Sequence, residues 1–395
     1  MAFPERFSNL PEYTWPRLRA LLDVHEPGGE VVNLTIGEPR HAFPDFVPDI
    51  IAETAAEFGR YPANNGTSAL LGAITDWIGR RYGVELGEDR VMALNGTREG
   101  LFSAAVALCP ERKNGQKPLI LMPNPFYQVY MIGALTAGAT PVYLPTTRDT
   151  GYLPDLDAIE PATLDQTVAF YLCSPSNPQG AVASHEYWAK LLDLAERHDF
   201  RIFADECYSE VWRYAPPPGV LQVAKDVGAE PERVFAFHSL SKRSNLPGLR
   251  SGFVAGGAKG LAEIRRLRAY AGAPLPGPVQ NASARVWAEE THAEASRQRY
   301  CAKFEMADRI FDGVPGYASP DAGFFLWLDV GNGEEAARKL YQETGVRVLP
   351  GAYLANDAGG QNPGARYIRV AMVADEPELE RGLTALRDCI FDVRT

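Results

Sequence analysis

Val234-Phe235-Ala236-Phe237-His238-Ser239-Leu240-Ser241-Lys242 runs directly into Arg243-Ser244-Asn245-Leu246-Pro247-Gly248-Leu249-Arg250-Ser251-Gly252. The apolar run Val234–Phe237 reads as a buried strand, and the small polar residues behind it read as the turn at its carboxyl end. A lysine at such a strand end, amid serines, can form a Schiff base with a carbonyl compound. An arginine eight positions further on can hold a phosphate with two parallel hydrogen bonds. A lysine taken alone is most often a solvated loop residue; here its flanks argue for chemistry.

Outward from this stretch, helical segments alternate with short apolar or β-branched runs at Val91–Leu94, Leu119–Met122, Thr140–Leu144, Val168–Cys173, Arg201–Ala204 and Ser251–Ala255. That alternation predicts an α/β fold: a mostly parallel seven-stranded sheet sandwiched by helices. Several runs end in polar, Gly- or Pro-rich turns: Asn95-Gly96-Thr97, Pro123-Asn124-Pro125, Ser174-Pro175-Ser176-Asn177-Pro178 and Asp205-Glu206. Ligands of open α/β sheets gather beyond the carboxyl ends of strands, so a site is expected among these turns. After Pro274–Pro278 a single long helix is expected from Val279 to Asp312, followed by a smaller α+β layer. Its strands are Gly323–Val330, Gly345–Leu349 and Tyr367–Val373, with a helix over Glu334–Thr344. The expected division is an N-terminal arm with part of the small domain over 1–45, a large domain over 46–285 and a small C-terminal domain over 286–395.

A chain of 395 residues has room for two domains. Its apolar content of 46% and charged content of 23% are globular proportions. A net charge of −11 argues against nucleic acid as a partner. The opening residues lack a signal-like apolar run, and no stretch approaches the roughly 18 apolar residues of a membrane helix, so no membrane contact and a cytoplasmic location are expected. Five scattered cysteines, without a C-x-x-C pair, predict neither disulfides nor a zinc site, and no metal is expected.

The pattern S-x-S-K-x-x-x-x-x-G-x-R-x-G resembles the lysine signature of the class I and II aminotransferases, which share the aspartate-aminotransferase fold (fold type I) and use pyridoxal 5′-phosphate. Further matches follow in the same chain order from Ile36 to Arg369. The resemblance implies that Lys242 carries the cofactor and that Asp205, in Phe203-Ala204-Asp205-Glu206-Cys207-Tyr208, keeps its pyridine nitrogen protonated. Without that family, the first reading of Asp205 is a helix N-cap. Tyr208 and Asn177 match residues that hydrogen-bond the cofactor's phenolic oxygen. Gly96, Thr97 and Arg98 lie between a strand and a helix, where backbone N–H groups can cradle an anion; Ser239 and Arg250 complete that phosphate cup by resemblance. Tyr127 aligns with the aromatic residue stacked on the pyridine ring, with Phe126 and Tyr130 read as core packing. Tyr61 matches a tyrosine that reaches the phosphate in the neighbouring subunit, which implies a homodimer with shared active sites. Arg369, in preference to nearby Arg366, resembles the arginine that forks onto the substrate α-carboxylate, with the backbone of Gly37 packed against the same group.

Within the family, Ile36-Gly37-Glu38-Pro39-Arg40-His41, Pro123-Asn124-Pro125-Phe126-Tyr127, Phe237-His238-Ser239-Leu240-Ser241-Lys242-Arg243-Ser244-Asn245 and Val348-Leu349-Pro350-Gly351-Ala352-Tyr353 look similar to the N-succinyldiaminopimelate aminotransferases. That subgroup exchanges an amino group between L-glutamate and N-succinyl-2-amino-6-oxoheptanedioate in lysine biosynthesis. Substrates so rich in carboxylates imply further cations, and Arg40, Arg98 and Arg243 are the candidate anchors. Ala271-Gly272-Ala273-Pro274-Leu275 departs from the subgroup in lacking polar residues. The alternatives are aminotransferases for aspartate, alanine or aromatic substrates, and a carbon–sulfur lyase using the same lysine and aspartate. A transcriptional regulator on this fold would need an added basic domain, for which an acidic chain matched nearly throughout has no room.

Overall fold

The computed structural model describes residues 5–8, 10–357 and 359–391. Twelve strands follow in chain order: β1 (Val32–Asn33), β2 (Val91–Leu94), β3 (Leu119–Asn124), β4 (Thr140–Pro145), β5 (Thr167–Cys173), β6 (Arg201–Asp205), β7 (Val234–Ser239), β8 (Gly252–Gly256), β9 (Phe325–Asp329), β10 (Val346–Arg347), β11 (Leu349–Pro350) and β12 (Tyr367–Ala371). Seven of them form one sheet in the order β2-β8-β7-β6-β5-β3-β4. All its pairings are parallel except those of β8 with β7 and with β2. The α/β architecture expected from the alternating pattern is present, each of the seven anticipated runs becoming a strand.

Strand β5 shows why the runs are continuous rather than alternating. Every residue from Thr167 to Cys173 is buried. Phe170 and Leu172 enter one apolar cluster and Ala169 and Tyr171 another, one on each face of the sheet. A sheet covered by helices on both sides needs apolar residues at every position.

Two smaller sheets lie beside the large one: β1 with β10, parallel, and β11-β12-β9, antiparallel. A third apolar cluster gathers Leu34, Tyr300, Phe324, Leu326 and Val370, and also takes in Cys173 and Tyr208 from the carboxyl ends of the large sheet. The functional residues of β5 and β6 therefore stand at the seam between layers.

Two expectations are corrected. The single helix over 279–312 is two, Gly277–Ala288 and Thr291–Ile310. Between them Glu289 accepts hydrogen bonds from the backbone N–H of Thr291 (2.6 Å) and of His292 (3.2 Å), satisfying donors that open the second helix. The strand expected over 345–349 divides at Val348: β10 pairs with β1, and β11 pairs with β12 in the other small sheet. Among the described residues no helix is long and apolar enough to cross a membrane.

Candidate active site

A cavity of about 370 Å³ opens beyond the carboxyl ends of β5, β6 and β7. Gly37, Thr97, Arg98, Tyr127, Asn177, Asp205, Tyr208, Ser239, Lys242, Arg250 and Arg369 all line it. These residues span most of the chain and are brought together by the crossovers of the large sheet and by the small layer packed against it, which contributes Gly37 and Arg369.

Lys242 sits on a four-residue helix, Leu240–Arg243, directly after β7. Its Nζ donates to the backbone oxygen of Gly37 and lies 5.3 Å from the centre of the Phe324 ring. Burial pulls its pKa down to about 8, and the charges of Arg369 and Arg250 act in the same direction. The amine is thus poised to lose its proton near neutrality.

Asp205 ends β6 and is 3% exposed. Its Oδ2 accepts from the Tyr130 hydroxyl at 2.7 Å and its Oδ1 from the Cys207 amide at 3.4 Å. Burial raises its pKa, and no ion pair involves it among the described residues. A carboxylate buried at a cavity wall with only neutral partners is built to meet a cation from the cavity side. Tyr127 stands edge-on to Tyr130, ring centres 5.7 Å apart, and its hydroxyl accepts from Arg98 Nε at 2.7 Å.

The anion end of the cavity is made of three elements. Gly96 (φ +81°) turns the chain from β2 into the twelve-residue helix Thr97–Leu108, whose first amide groups have no side-chain cap. Ser239 Oγ contacts Ser241 Oγ at 2.9 Å. Arg250, itself at φ +56°, donates to Pro247 O at 2.9 Å. A Cβ on Gly96 would stand 2.2 Å from Arg250 Nη2, so only glycine lets the guanidinium reach the helix start. At the opposite end, Arg369 on β12 donates from Nη1 to Asn177 Oδ1 (3.0 Å) and from Nη2 to Thr35 O (2.8 Å), and stacks 4.3 Å from the Phe325 ring. Its Nε is buried without a partner among the described residues, and burial lowers its pKa to about 10. A buried guanidinium with a spare donor is prepared for a carboxylate.

Residues 29–386 match the family described as aminotransferase class I and II. The chain belongs to it. Among curated proteins, the LL-diaminopimelate aminotransferase of Desulforudis audaxviator is 32% identical over 99% of both chains. Its namesake from Moorella thermoacetica is 31% identical over 97% of both. Among solved structures, an aminotransferase from Neisseria meningitidis is 35% identical with a TM-score of 0.93, covering 98% of this chain and 100% of its own. Aminotransferase AspB from Helicobacter pylori is 35% identical with a TM-score of 0.90, covering 97% and 99%. The cofactor of this aminotransferase is pyridoxal phosphate, and the cavity fits it: an amine ready to bond a carbonyl, a carboxylate lacking a cation, and an anion cradle that a Cβ would fill.

Other anticipated residues lie elsewhere in the aminotransferase. Arg243 does not reach the cavity. It is 3% exposed, pairs with Glu290 at 2.8 Å and donates to Val286 O and Glu289 O. Adjacent residues on a helix point about 100° apart, so Lys242 and Arg243 cannot both face the substrate. Arg40 is likewise turned away, with one nitrogen on Glu378 (3.0 Å) and another on Asn33 O (3.0 Å). Arg366 is exposed and paired with Asp329, which leaves Arg369 as the cavity arginine. Tyr61 is fully exposed and lines no part of this chain's cavity. Tyr130, read from the sequence as core packing, is buried but also holds Asp205. Trp15, Glu38, Cys207 and Phe325 line the cavity without having been anticipated, and only Glu38 and Cys207, inside quoted motifs, carried a signal.

Proposed function

We propose that this aminotransferase moves an amino group between L-glutamate and N-succinyl-2-amino-6-oxoheptanedioate, in diaminopimelate and lysine biosynthesis, as a homodimer with shared active sites. The observation that carries the reading is the buried Arg369, its Nε unpaired, in the same cavity as Lys242 and a second arginine, Arg98. One cation serves the α-carboxylate that both substrates share; the other is available for a further carboxylate. A second reading is favoured by the relatives named LL-diaminopimelate aminotransferase: the same carbon skeleton without the succinyl group.

Pyridoxal phosphate, when bound, supplies a carbonyl carbon for the amine and an electron sink for the bond that breaks. The chain's residues do the rest. Arg369 fixes the α-carboxylate with Asn177 and Thr35 O holding the guanidinium in plane, and so presents the substrate Cα–H to Lys242. Lys242 Nζ, whose pKa is lowered to about 8 by burial, takes the Cα proton in its free-amine form and returns it on the second substrate. Asp205, held by hydrogen bonds from Tyr130 and the Cys207 amide, would balance a positive charge on the bound cofactor at the carboxyl end of β6. Tyr208, buried against Phe324 and Phe325, gives a hydroxyl donor at the cavity floor.

The test is a pair of half-reactions followed through the cofactor's absorption band. Conversion by L-glutamate, reversed by the succinylated keto acid, is the expected result. Reversal only by the non-acylated skeleton would replace the first reading with the second. Release of pyruvate and ammonia from a thioether amino acid, with no keto acid present, would sink both in favour of a lyase.

A further inference from the structure

The helix Thr291–Ile310 carries a lysine where the interior does not favour one. Lys303 is 0% exposed, makes no ion pair among the described residues, and donates from Nζ to His41 Nε2 (2.7 Å) and to the backbone oxygen of Ala374. An ammonium taken out of water is costly unless a carboxylate answers it, and burial pulls the Lys303 pKa down to about 8. Its partner is held neutral: burial, and after it the charge of Lys303, push the His41 pKa down to about 4. Because an ammonium only donates, His41 accepts on Nε2 and keeps its own proton on Nδ1. That nitrogen is buried with no hydrogen-bond partner among the described residues. The same holds for the hydroxyl of Tyr300, one helical turn before Lys303, whose ring lies 4.8 Å from that of His41. A buried ammonium beside two orphaned polar atoms is not what packing alone would select.

We propose that Lys303 and His41 are positioning residues for Lys242: together they hold the chain that crosses the active-site cavity, and with it the carbonyl to which Lys242 donates. That chain is Ile36-Gly37-Glu38, which lines the cavity, and the Gly37 oxygen accepts from Lys242 Nζ. A carbonyl that accepts one N–H of the free amine fixes where the lone pair points, and the lone pair takes the Cα proton. Upstream the crossing chain is fixed by Leu34 O, which accepts from Ala371 N (2.8 Å), and by Thr35 O, which accepts from Arg369. Downstream the exposed Arg40 pairs with Glu378, while the interior hold comes from His41 on Lys303 and from Ala42 O, which accepts from Asn245 Nδ2 at 3.2 Å. A second route joins the same groups: Tyr300, packed on His41, stacks on Phe324 (5.3 Å, 22°), and Lys242 Nζ lies over the Phe324 ring. Through Ala374 O, just beyond β12, Lys303 also grips the segment that follows the strand of Arg369. An ammonium with three donors can gather these stretches of chain; an apolar side chain cannot. Since Thr35 and Arg369 keep their own bonds, losing the pair displaces Lys242 relative to the substrate Cα–H and leaves the carboxylate site in place.

The experiment is a single-turnover half-reaction of the holoenzyme, followed through the cofactor's absorption band, with L-glutamate carrying hydrogen or deuterium on Cα. L-Aspartate or L-alanine takes its place should the wild type not accept glutamate, so the outcome does not depend on the substrate reading above. Lys303→Met and His41→Phe keep the volume and lose the contact. Both are expected to lower the limiting rate roughly 10-fold or more while half-saturation moves by less than about 2-fold, because the reacting group is misplaced and the carboxylate site is not. The deuterium effect should grow in both, since proton transfer becomes slower relative to the other steps. His41→Gln, whose amide oxygen can accept from Lys303, should recover part of the rate, and the double variant should be no slower than the worse single one. A lysine that serves packing alone gives another pattern: a lower Tm, with the limiting rate and isotope effect per cofactor-loaded site unchanged. That result would overturn the proposal, as would a loss confined to half-saturation. If Lys303→Met does not fold, His41→Phe, which leaves the helix untouched, decides by the same two readouts.

Discussion

At the scale of single residues, the decisive quantity is the proton on Lys242. Burial beside two arginines brings its pKa from 10.5 to about 8, because both desolvation and like charges disfavour the ammonium form. Only the free amine bonds a carbonyl. The rate at which apoprotein captures pyridoxal phosphate should therefore rise with pH up to about 8 and level off beyond it. An ordinary lysine would keep gaining through pH 10, and stopped-flow absorbance that shows such a continued rise would contradict the environment described. The same residue scale shows where the sequence was legible. Lys242, Asp205, Arg250 and Arg369 each stand in a patterned string at the end of a strand or within one, so type and position spoke together. Arg243 and Arg40 stood in the same strings, but which way a side chain turns depends on the facing element: Glu290 after the helix Gly277–Ala288 for one, Glu378 for the other. Such partners lie tens to hundreds of residues away, and no local pattern names them.

At the scale of elements, the anion cradle depends on a strand, a tight turn and a helix agreeing in geometry. Gly96 supplies the positive φ and the missing Cβ; Arg268, 3% exposed, clamps the segment by pairing with Glu99 (2.6 Å) and donating to Ala93 O and Asn64 O. Gly96→Ala puts a methyl onto Arg250 Nη2 and forces a left-handed alanine, costing about 1–2 kcal/mol in stability. Cofactor affinity should fall further, by about 10-fold or more, because displacing the guanidinium removes a charge-assisted hydrogen bond to phosphate. Equilibrium titration alongside thermal unfolding checks both, and an unchanged affinity would mean that Arg250 is not part of the cup. The central strands of the large sheet were readable because burial on both faces makes them continuous apolar runs. The breaks at Glu289-Glu290 and at Val348 were not. An acidic pair is compatible with a helix interior, and Val348 fits a strand, so each break is set by tertiary contacts: a cap in one case and two different partner sheets in the other.

At the scale of the whole molecule, the question is what covers Tyr61, which is 103% exposed. A homodimer in which Tyr61 completes the neighbour's phosphate cup gives Tyr61 a purpose that no contact within its own chain supplies. Lys242→Ala removes the bonding amine, and Tyr61→Ala removes a hydrogen bond to a charged group, an expected loss of about 10-fold in cofactor affinity. If sites are shared, a hybrid of the two variants holds one site with the intact Lys242 of one subunit and the intact Tyr61 of the other, while its second site carries both defects. Random reassociation makes about half the dimers hybrids, so roughly a quarter of all sites become wild type. Mixed after mild dissociation at limiting cofactor, the pair should therefore exceed the mean of the separate parents. If each subunit uses its own Tyr61, every hybrid site carries one defect or the other, and the mixture stays at that mean.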